Sequence, residues 1–188
     1  MSEFVVLPEG LPVPADDGRA DHLVGKSLPS LTLMGTAGYQ VPINSFQNGR
    51  TIIYVYPMTG KPGLELPSGW DEIPGARGCT PEACGFQDYY GALRAAGVSN
   101  LYGLSNQDTE YQVEAAERLN LPFELLSDAN GELGKALVLP TFEADGKTFY
   151  KRLTMVIFEG RIEKVFYPIF PPDKHAEEVL TWLSTNCQ

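Results

Sequence analysis

The clearest hydrophobic pattern in the chain is a continuous run of β-branched and aromatic side chains at residues 51–56. A run without polar positions is typical of a central β-strand that is buried on both faces. Pro57 ends the run, and residues 58–78 then contain five glycines and three prolines, which predicts a loop. A helical pattern follows over residues 79–96, and Gly97 is its stop signal.

Strand and helix patterns alternate over the rest of the chain. The predicted strands are residues 30–34, 40–43, 100–105, 123–127, 152–158 and 161–167, and the predicted helices are residues 108–119, residues 128–138 and a last helix capped by Asp173. This order predicts an α/β fold, in which a central mixed β-sheet lies between helices in a three-layer sandwich. We expect an extended arm at residues 1–24 and a single domain at residues 25–188, with an insertion at residues 58–78.

The composition of the chain argues against several classes of function. A formal net charge of −10 argues against nucleic acid as a partner, and no apolar run approaches the length of a membrane span. The N-terminal residues lack the basic and apolar regions of a signal peptide, and with only three cysteines we expect a reducing, cytoplasmic location. His22 and His175 lie far apart in sequence and there is no second cysteine pair, so we expect no metal site.

Two of the three cysteines, Cys79 and Cys84, lie together at the start of the helix predicted after the loop. A thiol reacts as its thiolate, and an ordinary cysteine is mostly protonated near neutral pH. The unpaired N–H groups and the positive dipole end of a first helical turn would stabilise a thiolate at Cys79. Arg77, two residues earlier, would add a positive charge. This placement favours thiol chemistry.

The spacing of the pair also bears on how it would react. In an intact helix the Cα atoms of Cys79 and Cys84 would lie about 8–9 Å apart. A disulfide tolerates at most about 7 Å between Cα atoms, so a bond between the two requires the first helical turn to unwind. The pattern alone leaves two alternatives open, which are a structural disulfide and a pair of small buried apolar side chains.

Residues 78–88, with the sequence Gly-Cys-Thr-Pro-Glu-Ala-Cys-Gly-Phe-Gln-Asp, resemble the reactive helix of the peroxiredoxins. The motif is most similar to that of the bacterioferritin-comigratory or Q-type branch. The resemblance continues at residues 103–105, 125–131 and 152–157, and it covers roughly residues 25–185. It implies a thioredoxin-like fold and a thiol-dependent peroxidase without a cofactor.

The resemblance also implies roles for three residues. Cys79 would be the peroxidatic cysteine, which attacks hydrogen peroxide or an organic hydroperoxide and becomes a sulfenic acid. Cys84 would be the resolving cysteine, which forms an intramolecular disulfide that a thioredoxin- or glutaredoxin-like donor reduces. Arg152 matches the family arginine that stabilises the thiolate and polarises the peroxide.

The chain departs from the family in one element, the pattern Pro-x-x-x-Thr-x-x-Cys. Ala76 stands where the family has its threonine. Pro57 follows the central strand as in the family, but the insertion at residues 58–78 places it much further ahead of Cys79.

Three interpretations of this departure are open. Thr59 returns to the site and supplies the hydroxyl, Thr80 or a backbone group substitutes for it, or peroxide activation is weakened. Pro57, Thr59 and Arg77 are therefore the candidate residues of the substrate pocket.

Four other residues carry expectations. Glu82 is expected to point outward, because an inward carboxylate would oppose the thiolate. In the insertion, Trp70 and its neighbour Asp71 are expected to belong to a solvated loop, with shaping of access to the site as the alternative. Cys187, near the C-terminus, is expected to be a free thiol.

Two other functions compete with the peroxidase on the sequence alone. A disulfide oxidoreductase of the same fold is disfavoured, because such enzymes have two residues between their cysteines and this chain has four. A non-enzymatic redox sensor is the other alternative, and it would explain the altered Pro–Thr element. We expect a monomer or a homodimer.

Overall fold

The computed structural model describes residues 4–186. Within this range it contains nine strands: β1 (Thr32–Gly35), β2 (Gln40–Pro42), β3 (Arg50–Val55), β4 (Val98–Ser105), β5 (Glu124–Ser127), β6 (Thr141–Ala144), β7 (Lys147–Tyr150), β8 (Leu153–Phe158) and β9 (Arg161–Phe166). The same residues form five α-helices: α1 (Cys79–Asp88), α2 (Tyr90–Ala95), α3 (Thr109–Arg118), α4 (Glu132–Leu137) and α5 (His175–Thr185). None of the helices described is long and apolar enough to cross a membrane.

Seven of the strands form one mixed sheet in the order β2-β1-β5-β4-β3-β8-β9. Strands β3, β4 and β5 run parallel to one another, and β8 pairs antiparallel with β3. Strands β6 and β7 form a separate hairpin. Val55, at the end of β3, pairs with Leu153, so the residue before β8 lies beside the carboxyl end of β3. Ligand sites of α/β folds occur at this edge of the sheet.

Strand β3 shows why the sheet needs helices on both sides. All six of its residues are buried, and side chains alternate between the two faces. Ile53 and Val55 join a core that includes Leu133 of α4, whereas Ile52 and Tyr54 join a second core that includes α1 and α5. The predicted three-layer α/β sandwich with a mixed sheet is confirmed.

Two predicted helix features are wrong. The helix predicted over residues 79–96 is broken at Tyr89, whose φ of −90° and ψ of 0° separate α1 from α2. Asp173 does not cap the last helix, because it lies in a 3-10 turn at Pro172–Lys174 and Lys174 is the residue before α5.

The sequence patterns also missed the β6–β7 hairpin, which forms a third hydrophobic cluster with the insertion. Trp70 is its centre, with ring centroids 5.0 Å from Phe149 and 5.6 Å from Phe142. The indole is only 3% exposed, so the expectation of a solvated loop is wrong for Trp70, while Asp71 is half-exposed. The insertion is therefore a packed part of the domain, because most of its apolar side chains join this cluster, with Leu64 as an exposed exception.

The N-terminal segment lies against the start of α1. Residues 4–20 contain neither helix nor strand. The Phe4 ring occupies the space beside Gly60, where a Cβ would lie 2.5 Å from the ring. Asp17 accepts hydrogen bonds from Lys151 at 2.7 Å and from the Tyr167 hydroxyl at 2.6 Å, which attach the segment to the domain.

Candidate functional site

Cys79 is the first residue of α1, as the sequence predicts, and it is 3% exposed. Gly78 precedes it with a φ of +108°, a backbone conformation that favours glycine. A Cβ at Gly78 would also lie 2.4 Å from the side chain of Pro172. Glycine is therefore required at this position for the chain to enter the helix with the thiol directed into the protein.

Arg152 is the cation that contacts this thiol. It directly precedes β8, and its Nη2 donates a hydrogen bond to the Sγ of Cys79 at 3.2 Å. The same nitrogen lies 3.3 Å from each of the carbonyl oxygens of Gly75, Ala76 and Arg77. Arg152 thus binds both the thiol and the last residues of the insertion, so the insertion ends at the site.

Glu82 is a functional residue that the sequence interpretation placed wrongly. It points inward with no exposed surface, and Oε2 accepts a hydrogen bond from Nη1 of Arg152. Glu82 lies three residues after Cys79 and therefore shares a face of α1 with it. The buried guanidinium requires an anionic partner, and this outweighs the repulsion expected between the carboxylate and a thiolate. The helical spacing was the signal that would have placed Glu82 inside.

Opposing influences act on the ionisation of the three groups. Burial raises the pKa of the Cys79 thiol, Arg152 lowers it, and Glu82 raises it further. Burial likewise raises the pKa of Glu82, whereas Arg152 lowers it. Burial alone would lower the pKa of Arg152, but Cys79 and Glu82 raise it above its ordinary value. Arg152 therefore stays protonated and is the group that favours a thiolate at Cys79.

Arg77 does not have the predicted contact with the thiol. Its guanidinium pairs with Asp71 at 3.1 Å and lies 5.3 Å from the centre of the Phe4 ring. Arg77 contributes its backbone carbonyl to the site, and the neutralising cation is Arg152. Proximity in the sequence suggested Arg77, whereas the resemblance to the peroxiredoxins implied Arg152, whose contact with Cys79 spans 73 residues along the chain.

The candidate threonines are both buried, and neither hydroxyl has a hydrogen-bond partner within the described residues. Thr80 lines a small cavity of about 10 Å³ at Cys79. Thr59 is not among the lining residues of that cavity, although its backbone carbonyl is held by the Tyr111 hydroxyl at 2.8 Å. Pro57 is buried at the end of β3. Of the two threonines, Thr80 is the one that lines the cavity at Cys79.

Cys84 is half-buried on α1, and both it and Cys79 are free thiols in one unbroken helix. Burial and Asp88 raise the pKa of the Cys84 thiol, and Arg118 lowers it. The structure thus describes the reduced form of this pair. The free thiol expected at Cys187 lies outside the described residues.

The cavity at Cys79 is also lined by Arg77, a predicted pocket residue, by Trp70, and by residues that the sequence interpretation did not assign to the site. Its further lining residues are Phe4, Met58, Gly60, Leu66, Trp70, Arg77, Gly78 and Pro81. A tryptophan in a Gly/Pro-rich segment was the one signal in the sequence that this segment is packed. Across residues 4–186, no group of three His, Cys, Asp or Glu side chains is arranged to hold a metal ion.

Comparison with known proteins gives a consistent result. The family model described as Redoxin matches residues 23–180. Chloroplastic peroxiredoxin Q of Sedum lineare is 31% identical over 162 residues, which cover 86% of this chain and 77% of the relative. Chloroplastic peroxiredoxin Q of Oryza sativa subsp. japonica is 29% identical over 184 residues, which cover 95% of this chain and 76% of the relative.

Solved structures show the same fold. Peroxidoxin BcpB of Mycobacterium tuberculosis superposes with a TM-score of 0.70 at 24% identity and covers 88% of this chain and 99% of its own. A cysteine mutant of PrxQ from Xylella fastidiosa superposes with a TM-score of 0.72 at 21% identity, over 89% of this chain and 99% of its own. The chain therefore belongs to the redoxin family and, within it, to the peroxiredoxins of the Q or bacterioferritin-comigratory type, which are thiol-dependent peroxidases.

Proposed function

We propose that the protein reduces hydroperoxides with Cys79 as the peroxidatic cysteine and Cys84 as the resolving cysteine. The observation that carries this assignment is the 3.2 Å contact between the Cys79 Sγ and the Arg152 guanidinium at the start of α1. A cation and a helix N-terminus both stabilise a thiolate, and a thiolate is the form that attacks peroxides. Cys84 lies in the second turn of the same helix, away from its N-terminus, and within the described residues no arginine donates a hydrogen bond to its sulfur.

In the first step the Cys79 thiolate attacks the terminal oxygen of the hydroperoxide, and the O–O bond breaks. The sulfur is oxidised to a sulfenic acid, and the leaving hydroxide or alkoxide takes up a proton to give water or an alcohol. Arg152 is in position to donate hydrogen bonds to the reacting oxygens, because Nη2 already contacts the sulfur. Charge that develops on oxygen during the reaction is thereby stabilised by a fixed cation.

In the second step the Cys84 thiol attacks the Cys79 sulfenic acid. An S–S bond forms and water leaves. Both cysteines lie in α1, so its first turn must unwind before the two sulfurs meet. A thioredoxin-type reductant then returns the disulfide to two thiols. The proposal retains the expectations of a cytoplasmic location and of a monomer or homodimer.

The direct test mixes the reduced protein with hydrogen peroxide and follows tryptophan fluorescence by stopped flow, with mass analysis of the products. Trp70 lines the cavity at Cys79 and is the expected reporter. A fast phase, a loss of two hydrogens and a peptide linked through Cys79 and Cys84 are the expected results. Thiols that react only at the rate of a free cysteine would contradict the proposal and favour a sensor or binding role.

Replacing Cys84 with serine is expected to separate the two steps. The variant should consume one equivalent of peroxide and then accumulate the sulfenic acid at Cys79, because no thiol in α1 remains to condense with it. Steady-state turnover with thioredoxin should fall strongly, while the first fluorescence phase persists. Turnover equal to that of the parent protein would show that another thiol resolves the sulfenic acid, and Cys187→Ser in the same background would identify it.

We propose that Thr80, and not Thr59, supplies the hydroxyl that the family threonine would provide. Thr80 lines the Cys79 cavity and its buried Oγ1 has no partner within residues 4–186. Valine has the shape of threonine without the hydroxyl, so Thr80→Val is expected to slow the first phase by about 3- to 10-fold, the value of one hydrogen bond. Thr59→Val is the matched control and should leave the rate unchanged. The reverse order of effects would assign the role to Thr59.

A further inference from the structure

Two spaces of very different size share lining residues, and Cys79 lines the smaller one. The cavity at the thiol has a volume of about 10 Å³, which is room for about one water molecule. A groove of about 840 Å³ lies outside it, between the insertion, the residues that follow β4 and the β6–β7 hairpin. The groove is large enough for an organic molecule, whereas the cavity is not.

Met58 and Leu66 are the only described residues that line both spaces. These two residues therefore lie between the groove and the cavity at the reactive sulfur, and we refer to them as the wall. A ligand in the groove would reach Cys79 through this wall only if one of the two side chains moved aside.

Packing holds the wall in place. Met58 and Leu66 are partly buried against the cluster centred on Trp70, whose indole packs edge-on against Phe149 of β7. Buried aromatic contacts of this kind resist displacement, since moving Leu66 outward would expose part of the cluster to water.

Backbone contacts fix the chain between the two sides of the wall. The Tyr111 hydroxyl donates a hydrogen bond to the carbonyl of Thr59 at 2.8 Å. Nη2 of Arg118 donates one to the carbonyl of Gly60 at 2.9 Å. Both donors belong to α3, so the segment that follows Met58 is tied to a helix of the central domain.

We propose that Met58 and Leu66 form a size filter, which gives hydrogen peroxide access to Cys79 and excludes hydroperoxides that carry a bulky organic group. The inference rests on the proposed function and specifies the substrate class of the same site. Hydrogen peroxide has two heavy atoms and needs little more room than the cavity has, whereas an aromatic hydroperoxide requires the wall to open. The insertion, which separates Pro57 from Cys79 in the sequence, thus determines specificity.

The test compares second-order rate constants for hydrogen peroxide and cumene hydroperoxide, measured by stopped flow on the reduced full-length protein. The parent protein is expected to favour hydrogen peroxide. Leu66→Ala joins the groove to the cavity and should raise the rate constant for cumene hydroperoxide by about 10-fold, the scale on which a few methylene groups discriminate between substrates. The rate constant for hydrogen peroxide should change much less.

Leu64→Ala is the matched control. Leu64 belongs to the same insertion and lines the groove, but it is 55% exposed and does not line the cavity, so its removal should leave the ratio of rate constants unchanged. Met58→Ala removes the other side of the wall and should shift the ratio in the same direction as Leu66→Ala. Near-ultraviolet circular dichroism shows whether the aromatic cluster around Trp70 keeps its packing in each variant. If Leu66→Ala has lost this packing, the ratio of rate constants measured for Met58→Ala tests the filter.

The outcomes separate the filter from the activity on which it rests. A parent protein that prefers cumene hydroperoxide, or wall variants whose ratio equals that of Leu64→Ala, would overturn the filter and leave the peroxidase assignment intact. If the protein reacted rapidly with neither of the two peroxides, the filter and the peroxidase assignment would both be overturned.

Discussion

Serine in place of Cys79 is expected to abolish peroxide consumption. The hydroxyl of serine is not ionised near neutral pH, and Arg152 at 3.2 Å cannot convert it into a nucleophile comparable with a thiolate. Peroxide should then disappear no faster than in a sample without enzyme, both in a single turnover and in the presence of thioredoxin. The measurement is peroxide loss over time with equal concentrations of the two proteins.

The control for this result is Cys84→Ser, which retains the first step. If Cys79→Ser still reacted rapidly with peroxide while Cys84→Ser did not, the roles of the two cysteines would be exchanged. Full thioredoxin-dependent turnover in Cys79→Ser would remove the basis of the proposed mechanism altogether.

Methionine in place of Arg152 is expected to have the second largest effect. The substitution removes the only described cation in contact with the Cys79 sulfur and should lower the rate of the first step by about 100-fold, the scale seen when a charge-stabilising donor is lost from an active site. It also leaves Glu82 buried without a positive partner, which should lower the free energy of unfolding by about 3–5 kcal/mol. Rate and stability are measured on the same samples, by stopped flow and by denaturant unfolding.

Glu82→Gln removes a negative charge, whereas Arg152→Met removes a positive one. The pH dependence of the first step distinguishes the two variants. Because burial already raises the pKa of Cys79, the rate of the first step should increase with pH as the thiol ionises. Arg152 lowers this pKa, so Arg152→Met should move the midpoint to higher pH. Glu82 raises it, so Glu82→Gln should move the midpoint to lower pH.

The double variant Arg152→Met, Glu82→Gln distinguishes catalysis from folding. It removes both charges together, so much of the lost stability should return, because no buried carboxylate remains without a partner. The rate should stay low, since the cation is still missing. A double variant that recovered the rate together with the stability would show that Arg152 acts only through the fold.

Much of the fold follows from local patterns. Strand β3 was predictable because the run of apolar and β-branched positions at residues 51–56, which covers all of the strand except Arg50, is typical of a strand buried on both faces. The start of α1 was predictable because glycine, proline and the run from Cys79 form a local start signal. The break at Tyr89 was not, since nothing in the sequence interrupts the helical spacing there.

Parts of the site depended on contacts between distant segments. The inward position of Glu82 is decided by Arg152, which directly precedes β8 and needs a partner when buried. The burial of Trp70 is decided by the β6–β7 hairpin, whose short strands have no long periodic pattern of their own. In both cases the deciding partner lies at least 70 residues away in sequence.

By itself, the sequence determined the layered α/β architecture, the helix that begins at Cys79 and the presence of Cys84 in that same helix, because periodicity and short-range spacing specify which residues share a strand or a helix. Only the tertiary structure decided that Arg77 pairs with Asp71 and not with the thiol, that a buried carboxylate lies beside Arg152, and that Met58 and Leu66 line both the cavity at the thiol and the outer groove. These features arise where segments that are remote in sequence pack together, and no local pattern encodes which surfaces will meet.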